Sequence, residues 1–166
     1  MAVHWAFQRG KNMRDRWLPV GILAGVLFAI NAVIRLVVWQ FVTKSDTKQI
    51  ALGFVGLGLV ALVMGAAGYR WGRRYPMSRV GPDLSTGVVA ACALTVLVGP
   101  FAGGTLPFKE GAGFFFGEIW QYLAFAGGGA ILGLLVLIAL GKDYRSQALK
   151  RYAETKMAKP RRVVRR

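Results

Sequence analysis

Cysteine and histidine, the side chains behind most redox and metal chemistry, each occur once in this 166-residue chain, as Cys92 and His4. One cysteine excludes an internal disulfide and any multi-thiolate metal site. Cys92 sits in an apolar run, where it reads as a small buried or lipid-facing residue. A lone histidine beside Trp5 cannot build a metal centre by itself. Acidic residues are also scarce, at seven. No closely spaced carboxylates are available for acid–base work, no base stands near a nucleophile, and no G-x-x-x-x-G-K-[ST] phosphate loop occurs. The sequence therefore points away from an enzyme and calls for no cofactor.

What the chain does have is apolar and basic. Hydrophobic residues make up 55% before its 22 glycines are counted, and Lys and Arg number 22. About 20 mostly apolar residues cross the roughly 30 Å hydrocarbon core of a bilayer. Four segments reach that length, at about 17–42, 50–69, 86–106 and 114–140. The first is too long for the core of a cleaved signal and lacks an A-x-A site, so it reads as a retained span. Trp17, Trp39, Tyr69, Trp71, Trp120 and Tyr122 fall near the span ends, where interfacial aromatics gather. The predicted fold is an all-α membrane protein, a four-helix bundle. A basic arm over 1–16 precedes the membrane domain of 17–140, and a basic tail over 141–166 follows it.

Charge sets the orientation. The arm, the loop "RWGRRYPMSRVGPD" and the tail together hold eighteen Lys and Arg, whereas the other two loops hold Lys44, Lys48 and Lys109. The positive-inside rule then places both termini in the cytoplasm. High Ala, Gly, Val and Arg usage suits a GC-rich bacterial genome, hence the plasma (inner) membrane of a bacterium, crossed several times.

Without a hydrophobic force between helices in lipid, packing relies on small residues and polar contacts. Gly21 and Gly25 in the first span, Ala61 and Gly65 in the second, and Gly129 and Gly133 in the fourth have the required spacing of four. They are the expected packing positions. The stretch "GFVGLG" (53–58) superficially resembles a nucleotide loop, but lies mid-span with no strand before it, so packing explains it better. Pro100, following Gly99, is expected to kink the third span or end it early.

Arg35 lies seven residues, about 10 Å, from the outer end of the first span, and Glu118 about 6 Å from the same side of the fourth. A charge at such depth is costly. Snorkelling to the headgroups is one answer for Arg35. Pairing is the sharper one, with Arg35, Glu118, Asn31 and Gln121 forming an intramembrane polar pair or pocket.

In the tail, 143–158 favours helix up to Pro160, and "KPRRVVRR" favours disorder. Ten basic residues there oppose only Asp143 and Glu154. Lys159, Arg161, Arg162, Arg165 and Arg166 are thus expected to bind anionic inner-leaflet lipid or an acidic partner. Nucleic acid is not an expected partner, since no nucleic-acid fold accompanies the charge. The leading functional expectation is a non-enzymatic accessory or structural subunit that meets other membrane subunits or further copies of itself. A small oligomeric transporter or channel is the alternative, and a holin-like pore ranks below it.

The topology is directly testable. A reporter active only outside the cytoplasm should be silent when fused after Arg166 and active when inserted near Gly111. The opposite pattern would reverse the bundle.

Overall fold

A computed structural model describes residues 2–41, 46–102, 104, 106 and 111–157, with side chains from Arg16 onward apart from Asp46. Every regular element among them is helical: α1 (Ala2–Phe41), α2 (Asp46–Arg74), α3 (Met77–Leu97), the short α4 (Gly99–Ala102), α5 (Ala112–Ala139) and α6 (Tyr144–Met157). Four helices are long and apolar enough to cross a membrane: α1 from Arg16 on, α2, α3 and α5. Their outward faces carry Leu62, Val89, Ile131, Leu132 and Leu135, each more than half exposed. Such a surface suits lipid as its solvent far better than water.

α1 packs on α2 and α3, and α5 packs on the same two helices. α1 and α5 stand on opposite corners, with no Cα atoms within 8 Å of each other among the described residues. The core runs between them through Leu27, Val60, Met64, Val80, Ala91, Val96, Tyr122 and Ala126. On α1 the buried stripe is Val20, Leu23, Ala24 and Leu27, the 3.6-residue period of a helix with one inward face.

The closest packing is the seam between α2 and α5. A Cβ added at Gly129 would lie 2.7 Å from the Ala61 Cα, and one at Gly133 2.8 Å from the Gly65 Cα. Along the same seam, a Cβ at Gly68 would lie 2.9 Å from the Ala130 carbonyl oxygen, and one at Gly72 would meet the Leu137 and Leu134 side chains. Backbones come this near because no side chain stands between them, which lets dispersion contacts replace a hydrophobic force. Gly21 and Gly25 behave differently. They fall off the buried stripe of α1, and a Cβ at either would have no neighbour within 4 Å. Their expected role in packing within this bundle is corrected accordingly. Gly53 and Gly58 of "GFVGLG" are equally open, while Gly56 faces Ile34 of α1.

The third span also needs correction. α3 begins at Met77, nine residues before the predicted start, and ends at Leu97 rather than 106. Most of the predicted basic loop is helix, so α2 and α3 are joined by Tyr75 and Pro76 alone. Pro76 is extended (φ −64°, ψ 149°) and caps the new helix. Pro82 lies inside α3 as its sixth residue, where it has no N–H to donate to the Ser78 carbonyl. The helix is interrupted close to the expected place: Pro100 has no N–H to donate to the Val96 carbonyl, so the chain turns at Val98 and resumes helix as α4 from Gly99.

Asp83, assigned to that loop by the sequence, is buried at 6% exposure. Arg16 of α1 donates to its Oδ1 from both Nε (3.1 Å) and Nη2 (2.7 Å), and Arg79 lies 3.5 Å from its Oδ2. This pair joins α1 to α3 at the end where α2 turns into α3.

α5 ends in a Schellman turn. Gly141 takes φ +61°, its N–H donates to Ile138, and the Lys142 N–H donates to Leu137. A left-handed residue is required there, which glycine adopts without strain. Asp143 then caps α6 by accepting from the Ser146 N–H at 3.2 Å. The Ser146 hydroxyl and amide hold the Asp143 carboxyl below its ordinary range. Gln147 donates to the Arg73 carbonyl at 3.4 Å, tying α6 to the end of α2. The tail basics Lys159, Arg161, Arg162, Arg165 and Arg166 lie outside the described residues.

The seam yields a sharp contrast. Gly133→Leu should lower stability by about 1–3 kcal/mol or more, since it forces the backbones apart. Gly128→Ala, in open space, should be neutral or slightly stabilising. Thermal melts of both variants in the same detergent read the difference, and equal melting points would refute the seam.

Candidate functional site

The end of the bundle opposite α6 holds a cleft of about 900 Å³ between α1, α2 and α5, with Thr95 of α3 at its floor. Local rules put its polar groups there. On α1 the inward stripe continues beyond Leu27 as Asn31, Ile34, Arg35 and Val38. On α5 the first three turns bring Phe114, Gly117, Glu118, Gln121 and Tyr122 to the facing wall.

Arg35 donates from Nη2 to Glu118 Oε1, an ion pair bridging the two helices whose backbones stay apart. Both side chains are largely enclosed, at 29% and 26% exposure. The stem of Arg35 rests on the break between α3 and α4. A Cβ at Gly99 would lie 3.1 Å from Arg35 Nε and 3.5 Å from its Cδ. The Gly99–Pro100 pair therefore does two things. It stops α3, and it leaves a flat backbone surface on which the arginine lies.

The other two expected members share the cleft but not the ion pair. The Asn31 amide donates one N–H to the Leu27 carbonyl of its own helix at 3.0 Å, so one of its two donors goes to local backbone. Gln121 lines the wall beside Tyr122.

Several contributors escaped the sequence reading. Tyr122 is only 1% exposed, a core residue rather than the interfacial aromatic its position suggested, and Trp71 likewise packs against the core. Trp17, Trp39 and Trp120 do stand exposed. Thr95, 2% exposed, is hidden in an otherwise apolar run. The Tyr122 hydroxyl lies towards Thr95, yet neither hydroxyl makes a hydrogen bond of normal geometry with the described residues. Gln49 and Trp39 complete the rim. Cys92 is buried on α3. No group of three His, Cys, Asp or Glu able to hold a metal ion occurs among the described residues. The arrangement suits binding, with apolar walls around a few fixed polar groups.

No protein family matches this chain, and no curated protein or solved structure is significantly similar to it.

A double-mutant cycle measures the ion pair. Arg35→Ala strands a carboxylate and Glu118→Ala strands a guanidinium, so each alone should destabilise the protein, whereas the double variant should recover part of the loss. The coupling should be about 0.5–3 kcal/mol, read from melting in nanodiscs. Strictly additive effects would show that the contact contributes nothing.

Proposed function

We propose that this chain is a non-catalytic, multi-pass subunit of a larger assembly in a bacterial plasma membrane, with both termini in the cytoplasm. The observation that carries the reading is the split use of its small residues. Gly65, Gly68 and Gly72 of α2 and Gly129 and Gly133 of α5 are consumed in the seam between those helices, while Gly21, Gly25 and Ala29 of α1 form an outward stripe. Leu18, Ile22 and Val26 flank that stripe, all more than 40% exposed. A face that allows close backbone approach and has no partner among the described residues suits another membrane helix. The basic distribution supports the orientation. α6 exposes Lys150, Arg151 and Lys156, and the five further Lys and Arg of 159–166 extend this surface in sequence. Each adds about 1 kcal/mol of attraction near anionic lipid.

The cleft favours a second reading, a small transporter. It occupies one half of the bundle, and the α2–α5 seam closes the other half, so it serves better as a binding site than as a passage.

Native mass spectrometry of gently solubilised protein separates the two. A subunit should carry other membrane proteins at fixed stoichiometry. The double variant Gly21→Ile, Gly25→Ile should release them without lowering its own melting point. A pure homo-oligomer would favour the transporter, and partners retained by the double variant would remove α1 from the interface.

A further inference from the structure

The cleft has two kinds of polar group, and they are in different states. Arg35 and Glu118 are closed on each other, so the site is electrically neutral and its strongest groups are satisfied. Thr95 and Tyr122 are more than nine-tenths buried and both residues line the cavity; their hydroxyls lie towards each other beneath its surface, without a hydrogen bond of normal geometry to any described residue. A buried hydroxyl left unpaired costs about 1–3 kcal/mol. Two of them side by side at the floor of a cavity constitute unused binding capacity. The remaining wall is largely apolar, with Ile34, Val38, Ile50, Phe54 and Leu57 on α1 and α2. At about 900 Å³ the cleft is near the upper end of small-molecule sites, which run to about 1,000 Å³.

We infer that this cleft binds the uncharged, hydroxyl-bearing head of a membrane amphiphile, held by Thr95 and Tyr122, with its chain along the α1–α2 wall. This rests on the membrane-spanning reading above, because the bilayer supplies the ligand. The charge state of the site selects the head. An ionic head would enter a region with no uncompensated charge, so it must either break the Arg35–Glu118 pair or lose its hydration unpaired. A hydroxyl both donates and accepts. It can therefore satisfy a threonine and a tyrosine together without disturbing the ion pair. Asn31 commits one amide N–H to the Leu27 carbonyl and keeps its second N–H and its carbonyl oxygen, which suit an uncharged hydroxyl-bearing head equally well.

The test uses the full chain in phosphatidylcholine nanodiscs with a monoolein whose acyl chain carries a diazirine. Photolabelling should concentrate in peptides spanning 31–39, 49–57 and 113–122. Unlabelled monoolein should compete. Oleate and oleoyl lysophosphatidylcholine, with the same chain on an anionic or a zwitterionic head, should compete at least about tenfold less well. The double variant Thr95→Val, Tyr122→Phe keeps shape but removes both hydroxyls. Its affinity for the probe should fall about tenfold, while the melting point of the ligand-free protein should hold or rise. Those opposite signs separate a binding role from a structural one. Labelling spread evenly over the lipid-facing surface, equal competition by oleate, or a double variant that loses stability and affinity together would each overturn the inference. Alkaline carbonate extraction tests the underlying reading separately: a chain released from vesicles overturns the spanning reading, whereas an integrated chain labelled evenly overturns the cleft alone.

Discussion

A guanidinium cannot shed its proton to escape an apolar environment, so an arginine on a helix packed among apolar neighbours has to find a carboxylate or reach water. Among the described side chains α1 carries two such residues facing its neighbours, and both find carboxylates. Arg16 takes Asp83 on α3, and Arg35 takes Glu118 on α5. Nineteen residues separate the two arginines, a rise of about 28 Å, close to the roughly 30 Å of a hydrocarbon core. The two ion pairs thus mark the two margins of an apolar slab and hold α1 by both ends to different helices. Partly enclosed pairs of this kind are better at fixing geometry than at adding stability. Here they fix which helices α1 faces and in what rotation.

The glycine seam contributes the opposite kind of interaction, close, nonpolar and spread over many atoms. It joins α2 and α5 from Ala61 and Gly129 down to Gly72 and Leu137. α1 and α5 meet only through side chains at the far end, and there the space between α1, α2 and α5 becomes the cleft. Close packing at one end of the bundle and charge bridging at the other account for the position of the cavity.

Much of this was legible in the residues. Hydropathy alone located four long helices, with α5 predicted to within two residues of its observed ends. Counting inward from span ends put Arg35 and Glu118 at similar depth on the same side, and the fold joins them. The spacing of Ala61, Gly65, Gly129 and Gly133 corresponds to a real close approach. The start of α3 was obscured because Arg79, Gly81, Pro82 and Asp83 look like loop punctuation. Yet the stripe Val80, Leu84, Val88, Ala91, Thr95 keeps helical period straight through them. The Arg16–Asp83 pair spans 67 residues of sequence and leaves no local trace. Thr95 and Tyr122 carry hydroxyls too weakly polar to interrupt an apolar run, so their burial became visible only when the helices were set side by side. Gly21 and Gly25 have the right spacing on the wrong face. That distinction depends on the phase of the whole helix, which a four-residue motif does not contain.

The order of the seam along the chain divides its contacts into two sets. The Arg16–Asp83 pair and the packing of α1 on α3 use only residues that precede α5. The Ala61–Gly72 face of α2 and the Arg35 guanidinium find their partners on α5 instead. A chain cut before α5 would keep the first ion pair and lose both the seam and the second, so the last long helix is the one that closes the bundle.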